Sequence, residues 1–139
     1  AIEVKFLDLF EGSEIPEYIL SMPKLKNSYK YNENVRFNIE VKNKQWDSNV
    51  YHVSAYYPDN TIIENLYYKI TRIVDSYVAI DYGTEEPKHT LCSYDQNGNY
   101  FNLHMNLLEP GFSYSIKYGF DFNGEFYELK DSFKFRVDN

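Results

Sequence analysis

The sequence predicts an all-β protein built as an antiparallel sandwich, and three observations lead there. Tyr 15, Phe 10 and Trp 1 make 19% of the 139 residues aromatic, and aromatic side chains favour the pleated, half-buried surface of a strand. Apolar and polar residues alternate over several short stretches, which is the period of a strand with one buried face. Turn signals rich in Asn, Gly, Asp and Pro recur at intervals of about 8 to 12 residues, the spacing of a sandwich or, less well, of a barrel.

The elements follow in order. Ile2, Val4 and Phe6 alternate with Glu3 and Lys5 and read as a first strand. Residues 11–29 hold Pro16 and Pro23 and no sustained period, so they read as an irregular arm with at most one helical turn. The clearest strand runs from Val35 through Phe37, Ile39 and Val41, with Arg36, Asn38, Glu40 and Lys42 on the other face. Trp46 and a strand over 49–57 come next, ended by the turn Pro58-Asp59-Asn60. Residues 66–74 and 77–82 are strands by their β-branched and aromatic content, and 89–94 is a short strand before Asp95-Gln96-Asn97-Gly98-Asn99. Over 100–107, Phe101, Leu103, Met105 and Leu107 are expected inside, with Asn102, His104 and Asn106 outside. Tyr114, Ile116, Tyr118 and Phe120 share a face before a second Asn-Gly turn at 123–124. The stretches 126–129 and 133–137 then close the domain. The chain thus divides into a first strand and arm, 1–28, and a sandwich domain, 29–139.

Charge and composition exclude several roles. Fourteen basic against twenty-one acidic residues, 14 − 21 = −7, oppose capture of nucleic-acid phosphates or anionic lipid, which both need a positive patch. No apolar run approaches the roughly 20 residues that span a bilayer, and the acids of AIEVKFLDLFEGSE do not suit a secretory signal. A soluble chain with neither nucleic-acid nor membrane partner is expected, and the missing initiator Met leaves room for a removed upstream segment. With Cys92 as the single cysteine, neither an intrachain disulfide nor a thiolate metal cluster can form.

Each candidate site has a plain structural alternative. His52, His89 and His104 lie on separate strands without metal-ligand spacing. Cys92 has no adjacent base, and alternation permits its burial. Asp95, Asn97 and Asn99 sit at alternate positions like the start of a calcium loop, but the twelfth position is Asn106 rather than Glu, and turn chemistry accounts for them. Glu85-Glu86 and Glu125 with Glu128 are the nearest carboxylate pairs, and nothing in the pattern sets two of them across a pocket. No phosphate loop, nucleophile elbow or HExxH occurs, so no enzyme and no cofactor is expected. Tyr56-Tyr57 and Tyr67-Tyr68 place one ring on each face of a strand, making Tyr57 and Tyr68 a candidate aromatic surface for a glycan or a protein neighbour. In the arm, Tyr18, Ile19, Leu20, Met22 and Leu25 are candidate assembly anchors.

The sharpest local signature is LLEPGFSYSIKY over 107–118. Its Pro110-Gly111 corner followed by Tyr114 and an alternating strand resembles the strand-to-strand corner of fibronectin type III and other immunoglobulin-like sandwiches. In that geometry the Tyr114 ring enters the core and its hydroxyl bonds to nearby backbone. The segment TLCSYDQNGNYFNLHMNLLEPG, the ending YSIKYGFDFNGEFYELKDSFKFRV and the upstream LKNSYKYNENVRFNIEVKNK resemble sandwich domains in virion structural proteins of tailed bacteriophages, the large T4-like and marine phages among them. About four fifths of the chain takes part, and Cys92 stands where that group favours a small residue without a thiol.

That resemblance implies a non-enzymatic building block of a capsid, neck or tail, located in the virion and contacting copies of itself or other virion proteins. It carries over no catalytic residue. A second expectation is a carbohydrate-binding module or adhesin, since AIEVKFLDLF and LEPGFSYSIKYGF also resemble polysaccharide-recognition domains attached to bacterial exporters. Sandwiches host many functions, so fold alone does not choose between these.

Overall fold

Residues 15–43 and 61–139 are described by the computed structural model, and within them the chain is all β. Nine strands form among the described residues: β1 (Tyr18–Ser21), β2 (Ser28–Lys30), β3 (Asn34–Asn43), β4 (Leu66–Arg72), β5 (Tyr77–Ile80), β6 (Ser93–Asp95), β7 (Gly98–His104), β8 (Phe112–Phe122) and β9 (Glu125–Asp138). They make a four-stranded sheet in the order β1-β3-β7-β6 and a five-stranded sheet in the order β2-β9-β8-β4-β5. All neighbours are antiparallel except β2, which runs parallel to β9.

Alternation in sequence becomes alternation in burial. In β3, Val35, Phe37, Ile39 and Val41 are buried while Arg36, Glu40 and Lys42 are exposed, and in β8 the buried set is Tyr114, Ile116, Tyr118 and Phe120. Both sets belong to the core between the sheets, and the sheets meet through rings. Tyr68 of β4 stacks on Phe101 of β7 at 3.8 Å and 12°, and Phe37 of β3 meets Tyr29 of β2 at 5.5 Å and Phe135 of β9 at 5.4 Å. Each such ring removed from water contributes roughly 1.5–3 kcal/mol.

The two Asn-Gly turns differ. Asn123 and Gly124 have φ of 52° and 82° and form the two-residue loop between paired Phe122 and Glu125, the left-handed pair that a type I′ hairpin demands. At the other turn the left-handed residue is Gly98, φ 130°, and a Cβ there would lie 2.8 Å from the Ile39 carbonyl oxygen. Asn99 is a buried side chain rather than a turn residue. Its Oδ1 accepts from Ile63 N at 3.0 Å and its Nδ2 donates to Ile63 O at 2.8 Å, replacing a backbone pair and tying the approach to β4 onto β7.

Several expectations are corrected. Within the described part of the arm two short strands form, β1 pairing with β3 and β2 with β9, because Leu20, Met22 and Tyr29 all have core positions to fill; residues 15–17 and 22–27 are irregular. The division at 28/29 meets the start of β2. Leu107 is exposed, since the chain leaves β7 into a 3-10 turn over Met105–Leu107; the period changes from two to three, and Leu108 is buried in its place. The short strand over 89–94 shrinks to β6, because residues 90–92 bond instead to β4, with Cys92 N donating to Leu66 O and Tyr68 N to Thr90 O. The two closing stretches are one strand, β9, interrupted where residues 129–131 stand against Tyr118 alone. The expected strands over 2–6 and 49–57, with Trp46 and the turn at 58–60, lie outside the described residues.

Candidate functional site

Two surface features stand out, both on the five-stranded sheet. The first is the β4–β5 hairpin and the β5 edge. Among the described residues, four of the nine exposed large hydrophobics, Ile73, Val74, Tyr77 and Val78, fall in this one hairpin. Scattered apolar residues on a surface are ordinary, whereas a contiguous group calls for a partner. The hairpin is held firmly. Arg72 bonds both oxygens of Asp75, at 2.7 and 3.1 Å, reaches Glu109 at 3.2 Å and lies 4.9 Å over the Tyr77 ring. The Arg72 hydrogen bond is the largest influence on Asp75 and holds its carboxyl down to about 2.

β5 pairs only with β4, so its outer backbone groups have no strand partner among the described residues. Its sequence, Tyr-Val-Ala-Ile, lacks the charge or proline with which edge strands usually discourage pairing. One irregularity is present at Ala79, between the pairs Ile70↔Ile80 and Thr71↔Val78.

The second feature is a half-buried cluster on the outer face. Phe126 packs edge-on against Tyr67 at 6.1 Å and Tyr82 at 4.8 Å, and its ring touches the space a Cβ on Gly119 would fill. Above it, Glu128 accepts a hydrogen bond from Tyr82 Oη at 2.8 Å and pairs with Lys69 at 3.1 Å and Lys117 at 3.7 Å. Burial pushes the Glu128 carboxyl up, but the hydrogen bonds from Tyr82 and Lys69 and the two ammonium charges outweigh it and hold it below its ordinary value. Burial, then the Glu128 contact, drives the Tyr82 hydroxyl strongly upward. The Glu128 carboxylate, held between two cations, acts as a clasp over the aromatic rings.

The sequence-derived site residues distribute as follows. Tyr68 is not a surface ring: it stacks on Phe101 in the core, and burial pushes its hydroxyl up to about 12. Its neighbour Tyr67 is also buried, because Phe126 and Tyr82 cover the outer face. Tyr57 lies outside the described residues. Of the arm residues, Leu20 and Met22 are in the core, Tyr18 meets Phe120 edge-on at 5.0 Å, Leu25 is half-buried against the core, and Ile19 is exposed. The Tyr114 ring is buried, and its hydroxyl accepts from Glu109 N at 2.9 Å and donates to Glu109 O at 3.0 Å. Gly111 beside Pro110 has φ 90° and donates to Val137 O at 2.7 Å.

The other candidates are engaged elsewhere. Burial drives the Cys92 thiol far above its ordinary value, away from the thiolate that reacts. His104 Nδ1 accepts from Asn106 N at the 3-10 turn, the His89 ring lies against Gly83, and His52 lies outside the described residues. Asp95 accepts from Asn97 N and pairs with Arg36 at 3.1 Å. Among the described residues no group of three His, Cys, Asp or Glu is placed to hold a metal. The β5 edge could have been found in the sequence from Ile73-Val74 and Tyr77-Val78 flanking a two-residue polar turn, but which strand is an edge is a property of the sheet.

Among the described residues, the fold and these surfaces define an all-β, two-sheet protein with an apolar strand edge that no other strand pairs. Comparison with known protein families, with curated proteins and with solved structures finds no match to this chain.

Proposed function

We propose that this chain is a non-enzymatic, immunoglobulin-like assembly module that works by protein–protein contact, in the capsid, neck or tail of a bacteriophage virion. The observation that carries the assembly reading is the β5 edge with its exposed Ile73, Val74, Tyr77 and Val78. Strand addition to such an edge supplies main-chain hydrogen bonds for affinity and alternate side chains for specificity.

The immunoglobulin-like reading is supported by topology. With β1, β3, β6 and β7 read as A, B, D and E and β4, β5, β8 and β9 as C, C′, F and G, the sheets become ABED and GFCC′, with β2 an added edge strand beside G. Tyr114 near the start of the F-position strand, bonded back to Glu109, is the corner that such sandwiches use. The virion setting rests on the sequence resemblance. The glycan alternative loses Tyr68 to the core and gains no ring platform among the described residues.

Labelling of purified phage particles with antibodies against this chain tests the setting. Decoration of the capsid, neck or tail is expected; a chain abundant in infected cells and missing from particles would remove the virion role. Val78→Lys should leave the fold intact and abolish incorporation, and normal incorporation of that variant would remove the β5 edge as the contact.

A further inference from the structure

We propose that copies of this chain join head to tail, the β5 edge of one copy receiving the β2 edge of the next, so that the five-stranded sheets run on from copy to copy. This rests on the assembly reading above and specifies the partner, which is a second copy of the chain.

The argument is one of complementary edges. Among the described residues the five-stranded sheet ends in β2 on one side and β5 on the other. Residues 23–32, around β2, carry Lys24, Lys26 and Lys30, all exposed, and no carboxylate. Residues 73–86, around β5, carry exposed Asp81, Glu85 and Glu86, together with Asp75, whose charge is met by Arg72 of β4. The strands are of matching length, 3 and 4 residues, so a ladder of about 10–13 Å would satisfy both. With Asp75 already paired to Arg72, a β5-to-β5 contact would crowd six carboxylates, twice three, around one short ladder, and a β2-to-β2 contact six ammonium groups. Only the unlike pairing sets opposite signs together, and like-charge juxtaposition is what excludes wrong partners. Because the two edges are different surfaces, the contact is heterologous and propagates into a ring or filament rather than stopping at a dimer.

The distinction makes a decisive test with the full chain. Light scattering across a concentration series should show the mean mass rising past that of a dimer. Val78→Lys blocks the β5 edge, and Lys26→Glu with Lys30→Glu reverses the β2 edge; each variant alone should remain monomeric, with association weakened by about tenfold or more. Mixed in equal amounts, the two should form a heterodimer and stop, since each brings one intact edge. Tyr77→Lys replaces Val78→Lys if the latter melts early. If the β5 variants abolish association and the lysine reversals do not, the partner surface is another one, and this inference fails while the β5 contact survives. If the lysine reversals leave dimers that Val78→Lys destroys, the contact is two-fold and the head-to-tail arrangement is overturned. A full chain that stays monomeric to millimolar concentration overturns self-assembly, and particle labelling then decides the virion role by itself.

Discussion

The two faces of the five-stranded sheet are both lined with aromatic rings, yet they are built differently. On the inner face Tyr29, Tyr68, Tyr114, Tyr118 and Phe135 are sealed against the second sheet, and their polar tips are either buried or bonded to what lies within reach: Tyr118 Oη sits 3.3 Å from Met22 Sδ. On the outer face Tyr67, Tyr82 and Phe126 have no second sheet among the described residues, and a salt-bridged clasp of Glu128, Lys69 and Lys117 covers them instead. The inner face is closed by area removed from water, the outer by a few polar groups that hold rings in place while their charged ends remain partly wet. The lesson is that ring content predicts strands well and predicts a binding platform poorly, since either face can hide its rings.

The comparison is broken most forcefully from the inside. Phe135→Ala removes a ring that touches Tyr29, Phe37 and Tyr114, and chemical denaturation should show a loss of about 3–5 kcal/mol. Phe126→Ala on the outer face should cost less, about 2 kcal/mol, because the half-buried Tyr82 ring beside it can settle into part of the space; equal losses at the two positions would mean that the faces are energetically alike. Third in size is Tyr114→Phe. It leaves both the N–H and the carbonyl of Glu109 without their side-chain partner and should cost about 1–2 kcal/mol in thermal unfolding, whereas an unchanged melting temperature would show that water replaces the hydroxyl at no cost.

The smallest effect concerns pH and separates the faces by mechanism. Glu128 has a folded-state pKa below its unfolded value. Its ionised form therefore stabilises the fold fully above about pH 4.3, the unfolded glutamate value, and that stabilisation is lost as pH falls through the lower folded value. Glu128→Gln should accordingly melt earlier than the parent chain at neutral pH, with the difference shrinking on acidification. A constant difference from pH 7 to pH 3 would mean that shape, and not charge, is what Glu128 contributes.

Much of the fold was legible because strand formation is local. β3 and β8 could be read directly, since each has one buried face and strict period two, and the Asn123-Gly124 hairpin follows from two residues that accept left-handed backbone. β1 and β2 are not legible in the sequence, because segments of four and three residues, broken by Pro23, show no period long enough to recognise. The burial of Leu108 in place of Leu107 is hidden as well, since a 3-10 turn begins without a breaker residue at the end of β7. The place of Tyr68 in the core is not legible either, because alternation tells which residues share a face and is silent on what covers the other one.

By itself the sequence determined that the chain is all β, where its long strands run, which side chains in them share a face, and that no thiol cluster or phosphate loop is available. Those properties depend on neighbours a few residues apart, for which backbone sterics and side-chain period suffice. Only the tertiary structure decided that β2 joins β9 in parallel, that Asn99 binds Ile63 across 36 residues of chain, that Phe126 roofs Tyr67 over Gly119, and that among the described residues β5 pairs with β4 alone. Each depends on which distant segment arrives alongside. That is a competition for buried area and hydrogen-bond partners settled across the whole molecule, and no local window contains its outcome.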